Sequence, residues 1–135
     1  MPSIEFPLLQ KFTPFGIISD PRIPVSILTP LGDLRRAFLI DTGADFSWAP
    51  RGLAEQVGLD WQGLSEAGVG GIGAGRIRAR LGPLPLQLGG SQLTVRCLFP
   101  EAPSALFILG RADFLDRFAL TIDTRAQRVV LTELL

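Results

Sequence analysis

An all-β, barrel-like domain is predicted by three features of this chain. Its apolar residues fall in many short runs, those runs are separated by turns bearing proline or glycine, and only 50–57 and 111–116 are patterned as helices. Ile4–Leu9 and Phe15–Ile18 read as short strands interrupted by Pro7, Pro14 and Pro21, which suits edge positions because proline cannot donate to a ladder. Val25–Thr29, the turn Pro30-Leu31-Gly32-Asp33 and the return strand Leu34–Asp41 form a hairpin that delivers Asp41. Phe46–Ala49 is a further short strand. Pro50–Val57 is a short helix with Leu53, Ala54 and Val57 on one side and Gly58 as its left-handed cap.

From Gly63 to Gly75 the composition turns to glycine and small residues, a segment expected to be mobile. Arg76–Leu81 then alternates as a half-exposed strand does, and Leu84–Leu88, a Gly89-Gly90 turn and Leu93–Phe99 make a second hairpin. Ala105–Leu109 is wholly apolar, so both of its faces are expected to be buried. Arg111–Asp116 reads as a helix of one to two turns. Phe118–Asp123 and Arg128–Thr132 close the chain as a hairpin about Thr124–Gln127.

The 135 residues give room for a single domain, 1–135, that buries roughly two-thirds of the surface of its unfolded form. Apolar residues are 47% and charged residues 19%, with zero formal net charge. Disorder is therefore not expected, and there is no electrostatic case for nucleic acid or an anionic membrane. A partner must be recognised through shape and apolar contacts. The absence of histidine removes Ser-His-Asp and Cys-His catalysis and most zinc sites. Cys97, the lone cysteine, sits in an apolar strand and reads as a small buried hydrophobe. The N-terminus lacks the basic start and apolar run of a signal peptide, and no apolar stretch approaches the ~18 to 20 residues of a membrane span, so a cytoplasmic location is expected.

The chemistry centres on Phe38-Leu39-Ile40-Asp41-Thr42-Gly43-Ala44, where three large apolar residues run directly into an acid. The strand should carry Asp41 toward the interior, where an unpaired carboxylate is costly. Asp41 is then either a structural acid capped by backbone donors or a catalytic one. Gly43 allows the backbone to approach the acid closely, and the Thr42 hydroxyl can bond to a partner strand or loop. Downstream stands Ile108-Leu109-Gly110-Arg111, and between them the glycine-rich Gly68–Gly75.

Asp-Thr-Gly-Ala, the glycine-rich middle and Ile-Leu-Gly-Arg, in that order, resemble the retropepsin-like, single-lobe aspartic proteases over roughly Pro24 to Thr132. The resemblance implies a closed barrel with one or two short helices, active as a two-fold homodimer on polypeptide, without metal or organic cofactor. Asp41 matches the catalytic aspartate, supported by Thr42, Gly43 and Ala44. The family reaction needs two such carboxylates sharing a proton. Asp123-Thr124-Arg125 is no second copy, because arginine replaces the glycine, so the second Asp41 must come from another subunit. Asp45 and Arg111 match a family ion pair that leaves Asp45 able to accept a substrate N–H; two independent surface charges are the alternative. The segment 65–80 corresponds to the flap, with Gly70, Gly71, Ile72 and Gly73 over the substrate; a plain flexible loop is the alternative. Ala44 cannot donate to the carboxylate as Ser or Thr does in pepsin-like lobes, so activity should extend to milder pH.

Gly68-Val69-Gly70-Gly71-Ile72-Gly73 also satisfies the dinucleotide-binding fingerprint. It is followed by a strand pattern and not a helix, and no acid lies near Leu93, so that reading is set aside. Trp48 and Trp61 read as core more readily than as pocket. Residues 1–20 read as a leader or as interface strands. A catalytically silent peptide-binding or dimerisation module with this fold is the alternative to an endopeptidase.

Overall fold

The computed structural model describes residues 2–70 and 76–134. Twelve strands follow one another among these residues: β1 (Ser3–Pro7), β2 (Leu9–Thr13), β3 (Gly16–Asp20), β4 (Arg22–Thr29), β5 (Gly32–Ile40), β6 (Ser47–Trp48), β7 (Ser65–Gly70), β8 (Arg76–Leu88), β9 (Ser91–Pro100), β10 (Ile108–Leu109), β11 (Phe118–Asp123) and β12 (Arg128–Glu133). The helix α1 (Arg51–Gln56) follows β6, and Trp61–Gly63 forms a 3-10 turn.

Six strands close a barrel in the order β4-β5-β10-β6-β9-β8, because β8 returns to pair with β4 through Ser26 opposite Gln87 and Ile27 opposite Leu86. Alternation sets its inside. Ile23, Val25 and Ile27 on β4, Leu84, Leu86 and Leu88 on β8, and Leu93, Val95 and Cys97 on β9 are all buried, while the residues between them face outward or lie half-buried. Burial pushes the Cys97 thiol up, so the inert packing role expected of it fits its place in the core. A second sheet, β1-β12-β11, packs against the barrel through the buried Val129 and Leu131. The third is the two-stranded ribbon β2-β3.

Gly58 takes φ +88 after α1, the left-handed cap expected of it, and Gly89 takes φ +55 in the β8-β9 turn. Other segments differ from expectation. Arg76–Leu81 and Leu84–Leu88 are one continuous strand despite Pro83 and Pro85. The two prolines lie between the end of the β7 pairing at Leu81 and the start of the β4 pairing at Leu86, where β8 has only β9 beside it. One side of the strand therefore asks for no donors there. β2 forms where sequence indicated no strand, paired residue for residue with β3.

Ala105–Leu109 is not buried on both faces. Only Ile108–Leu109 is a strand, and Ala105 and Leu106 are exposed in the loop before it. Arg111–Asp116 is not a helix either, since Ala112 leaves helical geometry (φ −62, ψ 127) and Asp113 is left-handed (φ 68). Of the glycine-rich stretch, Ser65–Gly70 is β7, held in register by β8, and 71–75 lies outside the described residues.

Candidate active site

Phe38 and Ile40 are buried in the barrel, which fixes β5 so that Asp41 is the first residue beyond its end. The backbone there is held from two sides. β10 runs parallel beside β5, with Leu39 N–H donating to Phe107 O (2.9 Å) and Asp41 N–H to Leu109 O (2.9 Å), and Ile40 N–H donates to Pro21 O (3.0 Å). Asp41 does not point into the core as expected from the apolar run. It lies half-buried at the strand end, and its Oδ1 accepts the Gly43 N–H at 2.9 Å. A Cβ on Gly43 would stand 3.3 Å from that oxygen, so a side chain here would crowd the carboxylate. Ala44 N–H donates to Asp41 O (3.2 Å), closing the turn, and Thr42 and Gly43 are exposed at its tip.

Gly110 locks this loop from below. Its N–H donates to Ser47 Oγ (3.1 Å), Arg111 N–H to Ala44 O (2.8 Å) and Ala112 N–H to Asp45 O (2.9 Å). A Cβ at Gly110 would meet Phe46 O at 2.4 Å and Ala44 O at 2.8 Å. Arg111 Nη2 also donates to Asp45 Oδ1, with both side chains largely exposed. The structure thus brings Asp41, Asp45, Gly110 and Arg111 together from two segments far apart in sequence.

Ser47 was not singled out by sequence. It is a buried polar residue, and its hydroxyl serves the otherwise unpaired Gly110 N–H. A hydroxyl placed between Phe46 and Trp48 was the available signal. Ser47→Ala leaves that buried donor without a partner, and a loss of about 1–3 kcal/mol in chemical-denaturation stability is expected.

Arg96 and Asp113 form a second unforeseen pair. Asp113 Oδ2 accepts from Arg96 Nε and from Arg96 N–H (both 2.9 Å), and the guanidinium lies 5.5 Å from the centre of the Phe46 ring. The hydrogen bonds from Arg96 hold the Asp113 carboxyl below the usual carboxylate range. Asp113 therefore titrates lower in the folded chain than in the unfolded one. Its contribution to stability is complete above its unfolded value and disappears as pH falls through the lowered folded value. Asp113→Asn keeps a residue that tolerates left-handed backbone while removing the ionisation. Its melting temperature should lie below that of the parent at neutral pH, and the gap should close on acidification below about pH 4.

A cavity of about 610 Å3 opens beside the loop, walled by Gly43–Phe46 and Trp48 on one side and by Ala67–Gly70, Ile77 and Leu81 of the β7-β8 hairpin on the other. A second, apolar hollow of about 320 Å3 shares Trp48 and Ile77 with it and is bounded by Pro100, Pro103, Leu106 and Ile108. Together they make an apolar trough beside the loop that Asp41 begins, and Asp41 itself lines neither hollow. Of the residues expected over a substrate, Gly70 lines the larger cavity, whereas Gly71, Ile72 and Gly73 lie outside the described residues. Trp48 lines both hollows, while Trp61 is buried, with the Arg51 and Arg80 guanidinium carbons 4.3 and 5.2 Å from its ring centre. Asp123 accepts the Ala126 N–H (2.9 Å) in the β11-β12 turn, away from this loop.

Comparison with known proteins agrees with this fold. A family model described as aspartyl protease matches residues 23–112. DNA damage-inducible protein 1 of Yarrowia lipolytica (strain CLIB 122 / E 150) is 33% identical over 96 residues, which is 70% of this chain but 24% of that protein. This chain thus spans about a quarter of the length of that relative. A retropepsin-like aspartic protease from Rickettsia conorii superposes with a TM-score of 0.62 at 17% identity, covering 96% of this chain and 91% of the other. The EIAV protease, complexed with the inhibitor HBY-793, gives 0.49 at 26% identity over 68% of this chain and 82% of its own.

Proposed function

The chain belongs to the aspartyl protease family and has the retropepsin-like fold, and from that premise we propose that it is an endopeptidase whose working unit is a homodimer. One observation supports this most strongly. The Asp41 carboxylate is held by a backbone N–H at the accessible end of a strand anchored in the barrel by Phe38 and Ile40, and the loop it begins forms one wall of an apolar trough. A lone carboxylate cannot both take and give a proton in the same step. Two Asp41 side chains brought together at a two-fold axis share one proton, because both cannot stay ionised at close range.

The ionised carboxylate removes a proton from water as the water oxygen bonds to the peptide carbonyl carbon, and the protonated one delivers its proton to the carbonyl oxygen. Collapse of the tetrahedral gem-diol breaks the C–N bond as one hydroxyl proton passes to the now ionised carboxylate and the other carboxyl protonates the departing amine, which returns the dyad to its starting state. Thr42, exposed at the loop tip, meets its counterpart loop across the axis. Asp45, oriented by Arg111, accepts a substrate backbone N–H. The β7-β8 hairpin acts as a flap, pairing through Gly70 with an extended polypeptide whose apolar side chains fill the trough. Exposed charged walls are few, so apolar residues flanking the cut bond are favoured.

The test is cleavage of an unfolded protein substrate across pH from acid to neutral, with and without a statine-type transition-state analogue. Cleavage abolished by the analogue is expected. Peptide binding with no cleavage at any pH would instead make the domain a silent peptide-binding or dimerisation module.

A further inference from the structure

The β2-β3 ribbon packs like no other part of the molecule. It forms its own two-stranded sheet, and every residue from Leu9 to Asp20 is exposed except Thr13 and Asp20, which are half-buried. Leu9 (45%), Phe12 (80%), Phe15 (99%), Ile17 (58%) and Ile18 (52%) make up half of the ten large apolar side chains exposed among the described residues. Phe12 stands directly opposite Ile17, with Phe15 at the turn. An isolated two-stranded hairpin is marginal in water, and its outer edges carry unpaired backbone groups. The usual protections of such an edge are scarce, since Lys11 and Asp20 are its only charges and Pro14 lies in the turn.

The root of the ribbon shows what covers it. Pro21, the residue after β3, accepts the Ile40 N–H, and Arg22 is in register with Leu39, so the ribbon leaves the body directly beside Asp41. The Arg22–Asp20 ion pair (3.1 Å) stiffens that exit. If two Asp41 residues meet at a two-fold axis, both ribbon roots lie next to the axis as well. Strands of five residues reach about 17 Å, far enough to pass the axis and lie on the other subunit.

We propose that residues 9–20 are a clasp that binds a second copy of this chain, burying Phe12, Phe15 and Ile17 only in the dimer that completes the Asp41 site. This rests on the two-chain reading above. A membrane surface fits poorly, because the ribbon carries one lysine and exposes apolar residues on both faces, with no basic cluster to meet anionic lipid. A different protein seated here would have to share the space beside Asp41 with the second subunit.

The experiment compares the parent, Phe12→Thr/Ile17→Thr and Phe15→Ser by sedimentation over a concentration series, together with cleavage rate per chain. Both variants alter only exposed side chains, and Phe15→Ser, at the turn, leaves the ladder untouched. The clasp predicts dimer affinity weakened by at least about tenfold and cleavage lost at low protein concentration but recovered at high concentration. Variants that dimerise and cleave as the parent does overturn the clasp while leaving the two-chain protease standing. Flotation of the parent, but not the variants, with phosphatidylserine vesicles at unchanged dimer affinity also overturns it, in favour of a membrane. A parent that stays monomeric at every concentration while cleaving overturns the two-chain reading itself.

Discussion

Asp41→Asn is expected to lower peptide cleavage by at least about 10³-fold while leaving the fold and the dimer intact. The substitution is nearly isosteric, and the amide oxygen can still accept the Gly43 N–H that Asp41 Oδ1 accepts at 2.9 Å. The loop 41–46 is held independently, by the bonds from Gly110, Arg111 and Ala112 to Ser47, Ala44 and Asp45. What the variant lacks is an ionisable group, so no water proton has a base to go to. The unfolding midpoint and the sedimentation profile should match the parent. A variant that cleaves at more than a tenth of the parental rate would place the chemistry elsewhere.

Gly110→Ala should be among the most damaging single changes to the fold. Its new methyl would lie 2.4 Å from Phe46 O and 2.8 Å from Ala44 O, both backbone atoms that cannot swing aside as a side chain can, and Ala44 O is further held by the Arg111 N–H. Either the 41–46 loop or the 109–112 segment must move, which breaks the Arg111-to-Ala44 and Gly110-to-Ser47 bonds and shifts Asp41. A loss of about 3 kcal/mol or more, read as a fall in melting temperature on the order of 10 °C, is expected together with loss of cleavage. Thermal unfolding unchanged within about 2 °C would show that the two segments are not packed as closely as described.

The features legible in the sequence were those that depend on local pattern. The all-β class follows from short apolar runs between turns, and the Asp-Thr-Gly-Ala and Ile-Leu-Gly-Arg segments announce themselves because an acid and a glycine stand directly after apolar strands. The features missed depend on contacts distant in sequence. Pro83 and Pro85 look like strand breakers until β8 is seen to have only one neighbour along that stretch. Arg111–Asp116 has helical composition, yet Ala112 is extended (ψ 127) and Asp113 left-handed (φ 68), with the Asp113 carboxylate bonded to Arg96 on β9, far away in sequence. Leu106 looks like core in sequence but borders the apolar trough, since the strand begins only at Ile108. Ser47 is unremarkable until Gly110, 63 residues away, presents an N–H to it. β2 was invisible because Gln10 and Lys11 together separate Leu9 from Phe12 and break the alternation, and its pairing with β3 makes no use of the core.

In the proposed enzyme one catalytic unit contains two Asp41 carboxylates, one per chain. Mixing parent chains with Asp41→Asn chains in varying proportion, at fixed total concentration and after subunit exchange, counts them directly. Activity should follow the square of the parental fraction, falling to about a quarter when half the chains are parental, because only pairs of parental chains carry both carboxylates. Activity proportional to the parental fraction itself, one half at that same mixture, would mean that each chain works alone.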